Sequence, residues 1–456
     1  MRIYWFGAVR YSVIKRIKQN ISIMIRSRRG SSIVMLAIIF VGFAMCIAGA
    51  VGVSRRLVVS SECETFGRLW TKAILSEYDV HLLDDYSIMS YFGNDDEVSE
   101  KLEAYLRYSA RGKLDASIKG ANADLTGYEL GDPANFRKAL KAGFAASAVS
   151  ELINGRGRTY RDLDAEGGFE EEGRVIENPV VKDTLPSRGM QGTVSEKTLT
   201  EKAKSVRDRE SLAGQIQTAG AEVLLIAKCF DSHVTKADSK DHFYVNEWEY
   251  IIRGSTDDEV NYRACRRRLF AARNALNLVS LYKDPAKVEM VVAVAETITP
   301  GPLGAVTQLI IAEAWAALET EEDLEDLYTD KRVPVLKTPE QWKTGLGAVL
   351  DSEEVEKKLD DESKELLEEK QDEVSDIAKK LKTATHFKDG LSYDEYLMLM
   401  ILSMNDNVRL LRIMDLVQIN MKYRYYRDFN LMEYYIGTRF TIDANGKSHV
   451  FEDEYK

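Results

Sequence analysis

The chain has 456 residues, 45% hydrophobic and 30% charged, with 62 Lys/Arg, 73 Asp/Glu and a formal net charge of -11. That composition excludes collagen-like, low-complexity and multi-span membrane proteins, and 4 Cys in this length exclude a disulfide framework. Residues 1–31 hold eight Lys/Arg and no acid, so removing these eight charges from -11 leaves -19 on residues 32–456, an acidic body that argues against a nucleic-acid partner.

The basic tail, 1–31, contains Arg26, Arg28 and Arg29 immediately before an uncharged run. Within 1–25, Phe6, Val9, Val13, Ile17, Ile21 and Met24 recur at spacings of three and four. That pattern fits a cationic helix lying on an anionic leaflet or a basic tail that only sets topology.

Residues 32–53 carry no charge, and about 20 apolar residues at 1.5 Å each cross a hydrocarbon core of roughly 30 Å. Ile33, Leu36, Phe40, Phe43, Ile47 and Val51 are expected to face lipid. Gly42, Gly49 and Ala50 are small enough to let a second membrane helix approach. Positive charges before the span place the N-terminus in the cytoplasm and the bulk of the chain outside. A signal peptide cleaved at Ala48-Gly49-Ala50 is the alternative, against which stand the long basic region and the apolar run continuing past the site. The apolar stretch 301–318 contains Glu313 and follows Pro300-Gly301-Pro302, so it reads as core helices rather than a second span.

Between residues 54 and 78 there is no Pro and one Gly, and Phe66, Leu69, Trp70, Ala73 and Ile74 make a helical stripe. The span is therefore expected to continue outward as a stalk, giving roughly 70 Å of helix from Ser32 to Tyr78. A helix over 96–109, a weakly alternating strand within 115–130 and a helix over 134–152 opened by Asp132-Pro133 complete a membrane-proximal α+β region, 54–153.

Residues 154–195 lack hydrophobic periodicity and read as a flexible linker. With the start of a return helix expected over 195–229 they form a segment 154–215. A mainly helical C-terminal ectodomain, 216–456, follows. In it the aromatic and branched run 242–253 predicts a strand, Asp257-Asp258-Glu259 opens a helix to about residue 282, and two helices cover 285–299 and 302–328. The charged insertion 351–384 reads as a solvated helix or a disordered segment. Ser392-Tyr393-Asp394-Glu395 is a capping box, a helix spans 405–423, and Asn445-Gly446 marks a hairpin. The fold class is thus mainly α with a small β-sheet, an α+β ectodomain on one N-terminal transmembrane helix.

Catalytic and cofactor motifs are missing: there is no G-x-S-x-G, P-loop, dinucleotide glycine pattern or H-E-x-x-H. No catalytic, cofactor or metal residue is therefore assigned. Asp231, His233, Asp238, Asp241 and His242 group in sequence, but Lys236 and Lys240 intrude and no His-x-x-x-His spacing supports a metal, so a solvated loop is expected. Cys63, Cys229 and Cys265 allow at most one bridge; Cys229 reads as a buried hydrophobe. Cys265 lies among Arg263, Arg266, Arg267 and Arg268, which would lower its pKa. Those arginines are expected to pair with Asp257, Asp258 and Glu259.

Arg28-Arg29-Gly30-Ser31-Ser32 before the span resembles the N-terminus of TadE/TadG-like proteins of tight-adherence (Flp-type) pilus systems. Glu77-Tyr78-Asp79 followed by Leu82-Leu83-Asp84-Asp85-Tyr86 is similar to a stretch of the large, uncharacterised TadE/TadG-like proteins of Firmicutes. Segments 249–254, 273–277, 336–342 and 390–396 add weaker likenesses in the same order. Met35 stands where type IV pilins carry Glu, which puts processing after Gly30 in doubt. The resemblance implies a non-enzymatic, single-pass component of a Tad/Flp-type pilus or surface secretion assembly in the bacterial envelope. Its implied partners are the lipid bilayer, other membrane-anchored pilus or secretion components, and further copies through the transmembrane and stalk helix. A membrane-tethered envelope hydrolase or ligand-sensing domain is the alternative, and it requires a pocket with converging His and carboxylates.

Overall fold

A computed structural model describes residues 18–20, 22, 31–109, 118–144, 158–161, 173–188, 196–206, 220–237, 242–301, 304–329, 331–350, 390–444 and 446–455. Arg26, Arg28, Arg29, the whole 1–25 stripe, Asp238, Asp241 and the insertion 351–384 lie outside them. The described chain is mostly helical with small antiparallel sheets, and it divides into two compact units.

The first unit comprises 1–74, 95–124 and 439–453. Its chief element is the helix Ser31–Leu75, 45 residues without a break; at 1.5 Å per residue that is about 67 Å. Residues 32–53 are exposed apart from a half-buried Val34, and the most apolar window of the helix has 0% of its residues buried. The helix is long and apolar enough to cross a membrane. Farther along, Cys63, Trp70, Thr71 and Ile74 are buried on one face. Gly67 lies on that face because the Phe451 ring occupies the space: an added Cβ would stand 2.3 Å from it.

Phe451 belongs to the hairpin Gly437–Ala444 and Lys447–Glu454, which turns at Gly446 with φ 75. Ile118–Ala123 adds a third strand, pairing Asn122 with Thr441 and Ala123 with Phe440. Phe440 and Phe451 face each other with ring centroids 5.4 Å apart. The helix Asp95–Ser109 buries Val98 and Leu102, and Ser99 Oγ accepts the Ala123 N–H at 2.9 Å.

The second unit comprises 75–94, 125–438 and 454–456. Its core is built from helices Ala221–Cys229, Glu247–Arg253, Asp258–Lys283, Gly304–Tyr328, Tyr393–Leu402 and Asp406–Arg424. Three of their starts follow local capping rules. Asp257 accepts the Glu259 and Val260 N–H groups, Asn405 those of Asn407 and Val408, and Ser392 with Glu395 forms the expected capping box. The apolar stretch after Gly301 packs as a core helix, with Val306, Ile311, Ala312 and Trp315 buried. Leu281, Val291, Ala295 and Val349 join Ile311, Ala312 and Trp315 in a smaller cluster.

Three expectations are corrected. Residues 242–253 are not a strand: 242–246 form a loop and Glu247–Arg253 is a helix ended by Gly254 at φ 74. The aromatic and branched residues there reflect burial on every side, since Trp248, Tyr250, Ile251 and Ile252 are all in the core; composition alone does not separate a buried helix from a buried strand. The return helix is interrupted, because Glu196–Ser205 and Ala221–Cys229 are separate and Gly220 begins the latter at φ 77. Finally, the described parts of 154–195 are ordered and packed. Arg158–Tyr160 pairs with Thr235–Ala237, Pro179–Thr184 is helical, and Ile176 and Leu185 belong to the core.

Candidate functional site

The polar loop expected to be solvated is buried. Helix Ala221–Cys229 delivers Asp231 and His233 into the interior at 2% and 3% exposure, and the His242 side chain is 7% exposed. Glu247, the first residue of its helix, is fully buried and closes the group. The metal-capable atoms of Asp231, His242 and Glu247 all lie within 4.8 Å of one another. His242 Nδ1 is 2.7 Å from Glu247 Oε2 and 3.8 Å from Asp231 Oδ1.

Each carboxylate is anchored from outside the trio. Asn420 Nδ2 donates to Glu247 Oε1 at 2.6 Å, and Arg161 Nη2 pairs with Asp231 Oδ2 at 3.1 Å. The Asp231 backbone N–H also donates to Glu247 Oε2 at 2.8 Å. Burial disfavours the charged imidazole of His242, but contact with Glu247 and the nearby Asp231 outweigh it and raise its pKa. Arg174 lies outside the loop, donating to the His242 and Phe243 carbonyls with its guanidinium 4.8 Å from the Tyr423 ring centroid.

A second polar knot starts two residues along the same helix, at Glu249. Glu249 Oε1 accepts the Tyr393 hydroxyl at 2.8 Å and the His233 N–H at 3.1 Å, while Oε2 has no hydrogen-bond partner among the described residues. Burial pushes the Glu249 carboxyl up to about 8. His233 stacks on Tyr262 with centroids 3.8 Å apart and places Nδ1 2.7 Å from Asn246 Oδ1. Asp258 accepts the Val245 and Asn246 N–H groups, fixing the loop, and burial raises it to about 6.

The residues singled out in the sequence are distributed differently. Ile33, Leu36, Phe40, Phe43, Ile47 and Val51 are exposed along one helix, as is Ala50. Gly42 and Gly49 have nothing within 4 Å of an added Cβ. In the 77–86 motif, Glu77 and Tyr78 are exposed and Asp79 caps helix Val80–Tyr86 through the Leu82 N–H. Leu82 and Tyr86 are buried, Leu83 is half-buried, and Asp85 meets Arg424. His81 stacks on Tyr425 with centroids 3.7 Å apart.

Two chemical expectations change. Cys265 is fully buried, and its pKa is raised rather than lowered: burial, followed by Glu249, outweighs Arg268, Arg253 and Arg412. Cys63 and Cys229 are also buried, and none of the three is in a disulfide. Among the arginines, Arg263 pairs with Glu259 as expected, but Arg266 reaches Glu321; Asp257 and Asp258 serve backbone N–H groups.

Sequence reasoning named Asp231 and His242 but missed Glu247, Arg161 and Asn420. The only local signal was a carboxylate five residues after His242, which is no metal spacing on a helix.

A family model described as a family of unknown function, DUF5702, matches residues 170–446, more than half of the chain and including Asp231, His242 and Glu247. No curated protein and no solved structure matches the chain.

Proposed function

Because the chain belongs to this family of unknown function, we propose its role from its own architecture: a non-enzymatic, single-pass component of an extracytoplasmic pilus or secretion assembly. The assembly class we favour is the tight-adherence one, on the motif order around residues 77–86. The observation that carries the reading is the helix Ser31–Leu75, whose residues 32–53 are uncharged and almost wholly exposed. Exposed apolar surface of this extent is costly in water and favourable in lipid. Eight preceding positive charges would hold the N-terminus inside, leaving the acidic bulk outside. The role is mechanical: the helix fixes the folded units to the bilayer and offers Gly42, Gly49 and Ala50 to neighbouring membrane helices.

The experiment uses intact cells carrying epitopes at both ends of the full chain. Added protease is expected to remove the C-terminal epitope and spare the N-terminal one, and fractionation is expected to place the protein in the membrane. A protected C-terminus or a soluble intact product overturns the anchor. Gene deletion is expected to reduce surface fibres, adhesion or secretion; all three unchanged would overturn the assembly role.

A further inference from the structure

We propose that Asp231, His242 and Glu247 bind one divalent transition-metal ion, with zinc as the best match. The ligand chemistry is one imidazole nitrogen and two carboxylate oxygens, a set used by zinc and unfavourable for magnesium, which demands oxygen octahedra and keeps its waters.

Geometry makes the case. The three candidate atoms approach one another from a helix-end loop, an extended loop and a helix start, all with side chains at most 7% exposed. Each carboxylate has one oxygen turned outward to a fixed partner, Asn420 for Glu247 and Arg161 for Asp231. The other oxygen converges on His242 Nδ1, at 2.7 Å from Glu247 and 3.8 Å from Asp231. Outer donors that fix ligand orientation while leaving inner atoms directed at one point are what metal sites require.

Zinc at about 2.0–2.2 Å from each atom would hold them roughly 3.4 Å apart, so the closer pair opens and the wider pair closes by less than an ångström. Coordination through Nδ1 requires the imidazole to carry its one proton on Nε2: a neutral His242 moves its Nδ1 proton there, and an imidazolium gives its Nδ1 proton to solvent.

Such an ion would clamp the 158–161 segment and the 242–246 loop to the helices carrying Glu247 and Asn420. The role is structural: among the described residues, the remaining neighbours are hydrogen-bonded side chains and backbone.

The test uses the full chain in detergent, stripped with chelator and dialysed against Zn2+ or Mg2+. Metal content is read by mass spectrometry, affinity by calorimetry and stability by thermal unfolding. One equivalent of zinc, a raised Tm and no retained magnesium are expected. His242→Gln and Glu247→Gln should abolish binding, Asn420→Ala should weaken it about tenfold, and His449→Gln should leave it unchanged. Circular dichroism of the metal-free variants checks folding, and cobalt substitution of the unmutated chain gives an independent reading through its visible absorption bands. No zinc retained by the unmutated chain, zinc retained equally by His242→Gln, or equal binding of magnesium would each overturn the proposal.

Discussion

Asp85 Oδ2 lies 2.7 Å from Arg424 Nη1 and accepts the Tyr425 hydroxyl at 3.0 Å. The pair joins the 77–86 motif to the end of helix Asp406–Arg424, across more than three hundred residues, with the Asp85 side chain 4% exposed. Removing one partner of a buried pair leaves the other uncompensated. Asp85→Asn is therefore expected to cost about 3 kcal/mol in denaturant unfolding. Arg424→Ala added to it should cost much less than its single effect, a non-additivity read from the double-mutant cycle.

Arg273 is fully buried and serves five groups. It pairs with Asp323 at 2.6 Å and donates to the Pro334 and Val335 carbonyls, the Tyr396 hydroxyl and Asn277 Oδ1. Lys337 is beside the same Asp323 at 2.5 Å and also contacts Glu319. A lysine at 273 cannot reproduce the planar fork. Arg273→Lys keeps the charge but leaves buried acceptors unpaired, so it should lower stability by about 1–3 kcal/mol, measured by denaturant unfolding, with a matching loss of Tm.

Gly254 and Gly446 both have positive φ, at 74 and 75, but differ in their surroundings. A Cβ at Gly254 would stand 2.6 Å from Arg412 Nε, whereas at Gly446 it would meet nothing within 4 Å. Arg412 cannot retreat freely, because its Nη1 donates to the Ile251 and Ile252 carbonyls at 2.7 Å each. Gly446→Ala should thus cost only the backbone strain, about 1–2 kcal/mol. Gly254→Ala should cost clearly more; equal Tm losses for the two would contradict the packing.

Asp415 accepts the Ser187 N–H and the Tyr250 hydroxyl, yet burial raises its carboxyl from 3.8 to about 6. The folded state therefore holds this proton more tightly than the unfolded state, and the contribution of Asp415 to stability falls as pH rises from about 4 to about 6. Above that range the loss is complete, at about 3 kcal/mol. The difference in unfolding free energy between the unmutated chain and Asp415→Asn should show that decline. A difference that rises with pH in this window would contradict it.

What the sequence made legible was local. Asp257, Ser392 with Glu395, and Asn405 announce helix starts because each cap binds N–H groups two or three residues away. The uncharged run after Arg29 announces its own helix by length. Residues 242–253 misled because total burial removes the polar face that separates period 3.6 from period 2. The candidate metal group was hidden for a different reason: His242 and Glu247 acquire meaning only beside Asp231, Arg161 and Asn420, which the tertiary fold supplies. Buried charges such as Arg273 and Asp415 look like surface residues in a linear reading, and only their partners reveal otherwise.

The helix Ser31–Leu75 has no proline, and its glycines at 42, 49, 52 and 67 do not interrupt it. A continuous hydrogen-bonded cylinder resists twisting, so a roll or tilt imposed on residues 32–53 is passed along to Cys63, Trp70 and Ile74 without slack. Through Gly67 it reaches Phe451. The strand that carries Phe451 thus rests directly on the same unbroken helix that holds the apolar run.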